Sequence, residues 1–184
     1  MINQKFINFL LFVEKLKEQK RKGWLIKTNQ KETESIADHS YATAMIGMIV
    51  GDYLRLDTNK IIRMALLHDL GEAIIGDQIP NENPHKENQE NNAILKILST
   101  LPEEIKNRYI RIWNEFKNCE TKESQIVHEI DKLELILQAG IYRKSMKDES
   151  LNEFFQSAES NIDSEFNKEF MNFIFKYIDI QFQD

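Results

Sequence analysis

Met64-Ala65-Leu66-Leu67-His68-Asp69-Leu70-Gly71 joins an apolar helical run to a histidine–aspartate pair and closes on a glycine. An ionisable dipeptide at the buried end of a helix is costly unless its groups find partners. A divalent cation supplies one, because neutral imidazole and carboxylate ligate manganese, cobalt, iron, zinc and magnesium. Adjacent helical residues point about 100° apart. Both can therefore reach one ion only near a helix end, with other ligands arriving from elsewhere. A capped, solvated pair is the alternative, so the rest of the chain has to arbitrate.

Upstream, Ser35-Ile36-Ala37-Asp38-His39-Ser40 offers an N-cap serine with an aspartate three residues on, a capping-box-like start for a helix over about 36–56. Its Ala42, Ala44, Gly47 and Gly51 are small and allow close packing. Asp57 or Thr58 caps a helix over 59–70, ended by Gly71. At the N-terminus, Ile2, Phe6, Phe9, Leu10, Val13 and Leu16 share one face of a helix running to about Lys22. Gly23 is expected to stop it, leaving 24–34 as a loop. Downstream, a short stretch 72–76 leads into an Asn-rich loop with Asp77, Pro80 and Pro84, long enough to line a site. Helices are expected over 86–98, over 102–116 with Pro102 in the first turn, over a long span capped by Thr121 and ending near Lys144, and over 149–182. There are no repeats, and the fold class is all-α.

A chain of 184 residues fits one domain at about 150 residues per domain. Hydrophobic residues at 41% against 29% charged residues describe a globular chain, not a disordered one. A net charge of −6 argues against non-specific nucleic-acid binding. The one cysteine, Cys119, excludes an internal disulfide framework and a cysteine zinc cage. The longest candidate span, Ala42 to Val50, is too short for a membrane crossing. Phe6 to Val13 lacks a following cleavage site and continues as Glu14-Lys15-Leu16-Lys17-Glu18, so an amphipathic helix is the better reading. A cytoplasmic protein with neither membrane nor nucleic acid as partner is expected. Charge is uneven: residues 14–31 hold seven Lys/Arg and two Glu, and residues 148–184 hold nine Asp/Glu and two Lys. The Lys20-Arg21-Lys22-Gly23-Trp24 junction can present a basic clamp and an indole wall to an anionic ligand, or be a solvated helix face.

More acids sit in unexpected places. Asp131 is embedded in the apolar helical stripe Glu129-Ile130-Asp131-Lys132-Leu133-Glu134-Leu135-Ile136-Leu137-Gln138. Glu72 lies one turn beyond His68 and can share its side, and Asp77 follows Gly76. The ordered set His39, His68-Asp69 and Asp131 resembles the metal signature of the HD-domain phosphohydrolases. The longer stretch Ala65-Leu-Leu-His-Asp-Leu-Gly-Glu-Ala-Ile-Ile-Gly-Asp77, with Arg21-Lys22-Gly23-Trp24 and Asp131-Lys-Leu-Glu-Leu-Ile-Leu-Gln-Ala139, is similar to the branch that holds bacterial 5'-deoxynucleotidases and their eukaryotic HD-domain relatives. Arg21 and Trp24 are separated by Lys22 and Gly23, the eukaryotic-type pattern.

The resemblance implies a single HD-domain helical bundle over 1–184, with its motifs in about 20–142 and a C-terminal helical extension over about 148–183. It implies one divalent metal ion (manganese, cobalt or magnesium, with zinc or iron as further candidates) on His39, His68, Asp69 and Asp131. It implies Glu72 and Asp77 as catalytic carboxylates, Arg21 near a nucleotide phosphate, Trp24 near the sugar, and a homodimer. Lys86, just after the proline loop, is a further candidate for the phosphate. Phosphomonoesters are inert, so catalysis must remove about 20 kcal/mol or more of barrier. A metal activates water and neutralises phosphoryl oxygens. Glu72 is expected to orient the water, and Asp77 to serve the leaving 5'-oxygen or the 3'-hydroxyl. The implied activity is a 5'-nucleotidase. The rivals are an HD-type phosphodiesterase or guanosine-polyphosphate hydrolase using His85 and His128, and a non-catalytic nucleotide-binding module.

Overall fold

Ser35 opens the helix that carries His39. Its hydroxyl accepts from the Asp38 N–H, and the Asp38 carboxylate accepts in return from the Ser35 N–H at 2.8 Å. This reciprocal cap satisfies two donors that a helix start leaves orphaned. The computed structural model describes residues 4–28, 32–79, 83–146 and 151–181. Within them run α1 (Gln4–Glu18), α2 (Lys22–Thr28), α3 (Ile36–Leu54), α4 (Thr58–Leu67), α5 (Glu72–Ile75), α6 (Lys86–Leu98), α7 (Glu103–Lys117), α8 (Lys122–Met146), α9 (Asn152–Asn161) and α10 (Glu165–Gln181). The fold is all-α. An isolated antiparallel bridge, Lys20 to Ser35, is the extended pairing seen among the described residues. No described helix is long and apolar enough to cross a membrane.

α3, α4 and α8 form the centre of the bundle. Ile61, Met64 and Ala65 of α4 are fully buried against Val127 and Ile130 of α8. The glycines of α3 make this approach possible. A Cβ on Gly47 would lie 2.9 Å from Ile61 Cγ2, and one on Gly51 would lie 2.9 Å from Thr58 Oγ1 and 3.2 Å from the Thr58 Cα. α9 and α10 then cover the other side of α8, where Ala158, Ile162, Ile174 and Ile178 pack on Leu133 and Ile136.

Several boundaries differ from the sequence expectation. Gly23 does not stop a helix. α1 ends at Glu18, the chain pairs through Lys20, and Gly23 and Trp24 lie inside α2. Glycine costs a helix about 1 kcal/mol; here the next residue, Trp24, packs on the Phe154 ring of α9, so tertiary packing sets the local structure. α4 ends at Leu67, and 68–71 turn tightly into α5, which ends on Gly76 at φ 73°. Pro102 is the N-cap of α7 and not part of its first turn. The C-terminal stretch breaks into two helices around Ile162–Ser164, where buried Glu129 accepts from Asp163 N, Ser164 N, Ser164 Oγ and Asn167 Nδ2. Ile2, Pro80, Glu149 and Phe182 lie outside the described residues.

Gly51→Ala should destabilise the fold by about 1–2 kcal/mol, because the backbone of α4 cannot retreat as a flexible side chain would. A urea midpoint equal to that of the unchanged protein would show that α3 and α4 have slack at this crossing.

Candidate active site

His39 comes from the first turns of α3, His68 and Asp69 from the turn that ends α4, and Asp131 from the middle of α8. The core packing of these three helices brings His39, His68 and Asp69 together and sets Asp131 beside His39. His39 Nε2 lies 3.2 Å from His68 Nε2, 3.0 Å from Asp131 Oδ1 and 3.7 Å from Asp69 Oδ2. His68 Nε2 lies 3.1 Å from Asp69 Oδ2. The ligand atoms of His39, His68 and Asp69 all fall within 4.8 Å of one another.

The donor set fits a divalent cation. Each imidazole has its other nitrogen occupied: His68 Nδ1 meets the Ala65 carbonyl at 2.6 Å and His39 Nδ1 meets Glu134 Oε2 at 2.5 Å. With both Nδ1 atoms donating, two Nε2 lone pairs face each other beside two carboxylates. A divalent cation makes that convergence favourable, and imidazole with carboxylate is a borderline-hard set. Without an ion, a proton does this work. Burial and the Arg21 charge push the His39 imidazole down, but hydrogen bonds to Asp131 and Glu134 outweigh them and hold it up at about 9. Burial raises the Asp131 carboxyl, yet Lys132 and His39 hold it well below the usual range. Asp69 is likewise held low, by His68, Arg21 and His39 against its burial.

Arg21 lies just ahead of α2, its Nη1 3.2 Å from Asp69 Oδ2 and its Nε 3.8 Å from Glu34 Oε1. Of the basic junction, this guanidinium is the group that meets the acid cluster. Lys20 Nζ donates to the Thr33 carbonyl, and the Lys22 side chain is exposed. Glu72 opens α5 and is 4% exposed, and its Oε2 has no hydrogen-bond partner among the described residues. Burial, then the charges of Asp69 and Asp77, push its carboxyl up to about 10 against the pull of Arg21 and Lys86. Asp77 accepts a hydrogen bond from the Lys22 backbone N–H, which ties the loop after α5 to the start of α2. Lys86 Nζ donates to the Gln78 carbonyl at 3.1 Å and lies 3.3 Å from Glu90.

Trp24 does not face an opening. The indole is 1% exposed, packs on Tyr142 and Phe154, and donates from Nε1 to Glu34 Oε1 at 2.5 Å. The structure thus gives it the packing place rather than an exposed wall, with a link to Arg21 through Glu34. His128 is stacked on Phe116 with Nε2 3.0 Å from the Phe116 carbonyl, and His85 is exposed ahead of α6, so neither joins the donor set. Three residues at the cluster escaped the sequence reading. Glu134 and Glu34 surround His39 on the Nδ1 side. Lys132 Nζ lies 2.8 Å from Asp131 Oδ2. Glu134 carried a signal, being an acid inside an apolar stripe; Glu34 fell in a segment expected to be a loop and carried none.

A family model described as HD domain matches residues 13–171. The chain belongs to the HD-domain family. Among its HD-domain relatives, the Dictyostelium discoideum protein named 5'-deoxynucleotidase HDDC2 is 40% identical over 149 residues, covering 76% of this chain and 78% of that one. The human protein of the same name is 34% identical over 155 residues, covering 82% and 75%. The PH0347 protein of Pyrococcus horikoshii OT3 superposes with a TM-score of 0.79 at 34% identity, over 91% of this chain and 97% of that one.

Asp69→Ala should abolish metal loading while the far-ultraviolet circular dichroism stays helical; unchanged stoichiometry by elemental analysis would remove Asp69 from the ligands. The Glu72 carboxyl gives a second test. The unfolded chain loses this proton near 4.5 and the folded protein keeps it to about 10, so folding stability falls as pH rises between those values. In EDTA-treated protein, the stability advantage of Glu72→Gln over the unchanged chain should widen from about pH 5 to about pH 9. A constant gap in urea midpoints would contradict the burial of an ionisable Glu72.

Proposed function

We propose that this protein is a metal-dependent 5'-nucleotidase that hydrolyses (deoxy)nucleoside 5'-monophosphates to nucleoside and phosphate. The carrying observation is the convergence of His39, His68 and Asp69 with Asp131 beside His39, Arg21 against Asp69, and a buried Glu72 whose Oε2 has no hydrogen-bond partner among the described residues. The names of the relatives, at 40% and 34% identity over most of both chains, support the same substrate class. Two-metal chemistry through His85 and His128 is not favoured, since both lie away from the donor set. The intact acid pair argues against an idle binding module.

A divalent ion held by the four ligands would supply an activated water and charge neutralisation at the phosphoryl oxygens; manganese, cobalt or magnesium is the proposed ion, with zinc or iron as further candidates. The residues do the rest. Arg21 holds the phosphate through the guanidinium that faces Asp69. Glu72, whose carboxyl the charge of a bound cation would return to its ionised form, orients the attacking water and takes its proton as the new P–O bond forms. The P–O5' bond breaks, and Asp77 serves the departing oxygen with a proton or grips the 3'-hydroxyl. Lys86 holds the Gln78 carbonyl, and so the loop that carries Asp77. Trp24 acts through Glu34 on Arg21, without touching the sugar. The whole of 1–184 is read as one HD domain. Tyr41, Met45, Ile49 and Tyr53, exposed at four-residue intervals along α3, support a homodimer. A cytoplasmic setting agrees with a lone free cysteine.

A panel of nucleoside 5'- and 3'-monophosphates, assayed for phosphate release with each divalent ion, tests the reading. Release from 5'-deoxynucleotides that stops on chelation is expected. Glu72→Ala should keep the metal and lower turnover by roughly 10²–10⁴-fold. No turnover of any 5'-monophosphate would overturn the assignment.

A further inference from the structure

His39 is completely buried, so both ring nitrogens need partners. One helix provides both. Asp131 Oδ1 lies 3.0 Å from Nε2, and Glu134 Oε2 lies 2.5 Å from Nδ1. The two acids are three residues apart on α8, close to one helical turn, and the rise of that turn lets them take the two edges of one imidazole. Glu134 is flanked in sequence by the buried Leu133 and Leu135. A carboxylate there needs a donor, and the ring N–H is the one the structure gives it. Glu134 sits on the edge of the ring away from the proposed ion, so it is not one of the ligands. Glu34 closes the same side, with its carboxylate held by Trp24 Nε1.

We propose that Glu134 is a positioning residue that fixes the Nδ1–H tautomer of His39 and thereby turns the Nε2 lone pair toward the divalent ion. The assignment deepens the metal reading given above and does not depend on the nucleotide substrate. It also distinguishes the two histidines. His68 leans on a neutral carbonyl, whereas His39 leans on a carboxylate, which makes its imidazole the stronger electron donor.

Two measurements test it. In protein labelled with nitrogen-15 histidine and loaded with Zn²⁺, long-range proton–nitrogen spectra should show His39 protonated at Nδ1 and bare at Nε2. A loaded protein with the proton on Nε2, or with a bare Nδ1, overturns the proposal. Separately, Mn²⁺ binding is measured by calorimetry for the unchanged protein, Glu134→Gln and Glu134→Leu. The leucine variant should weaken binding roughly 10–100-fold. The glutamine variant keeps an acceptor without the charge and should recover part of that loss. Equal affinity in all three overturns the proposal. If Glu134→Leu does not fold, the glutamine variant and the spectra of the unchanged protein carry the test. An unchanged protein that binds Mn²⁺ with His39 in this tautomer, but hydrolyses no 5'-monophosphate, sinks the nucleotidase reading and leaves this assignment standing.

Discussion

The His39 imidazole, clasped at both edges by carboxylates of α8, is the joint on which the arrangement depends. A ring with no exposure cannot take hydrogen bonds from water, so α3 and α8 must sit at a fixed distance and rotation. That demand reaches into the core. Gly47 and Gly51 let α3 lie tight against α4, and α4 in turn delivers His68 and Asp69 at its end. The hydrophobic contacts among Ile61, Met64, Val127 and Ile130 provide the driving force, and the polar cluster provides the register.

Burying so many ionisable groups is unfavourable unless each charge is answered. The answers form a connected chain. Trp24 and Arg21 meet at Glu34, Arg21 reaches Asp69, Asp69 meets His68 and His39, and His39 passes to Asp131 and Glu134. Lys132 closes the far end on Asp131. Glu72 stands apart, buried with one oxygen unsatisfied among the described residues. Such a group is a poor stabiliser, and the proposed function gives it an acid–base role.

Much of this was legible in the sequence. Helix type and the main elements followed from apolar periodicity, and the capping box at Ser35 and the start of α6 at Lys86 agree with the structure. His68, Asp69 and Asp131 stood out as polar residues in apolar runs, and the resemblance to the HD-domain phosphohydrolases is what joined them with His39 as one ligand set. What escaped depended on long-range contact. Gly23 looked like a helix stop because nothing local announces that Trp24, the next residue of α2, packs on Phe154, far along the chain. Trp24 looked like a binding wall because nothing local announces that Tyr142 and Phe154 will cover it. Glu34 and Glu134 acquire their meaning from a ring on another helix, which spacing within one segment does not reveal.

The lid over that indole is supplied from far along the chain. Phe154 and Leu151, which close over Trp24, lie well beyond Asp131, the last of the four ligand candidates. Loosening α9 would therefore bare the tryptophan behind Arg21 on one side and weaken the brace that Glu34 gives the guanidinium, without removing a single member of the imidazole–carboxylate cluster.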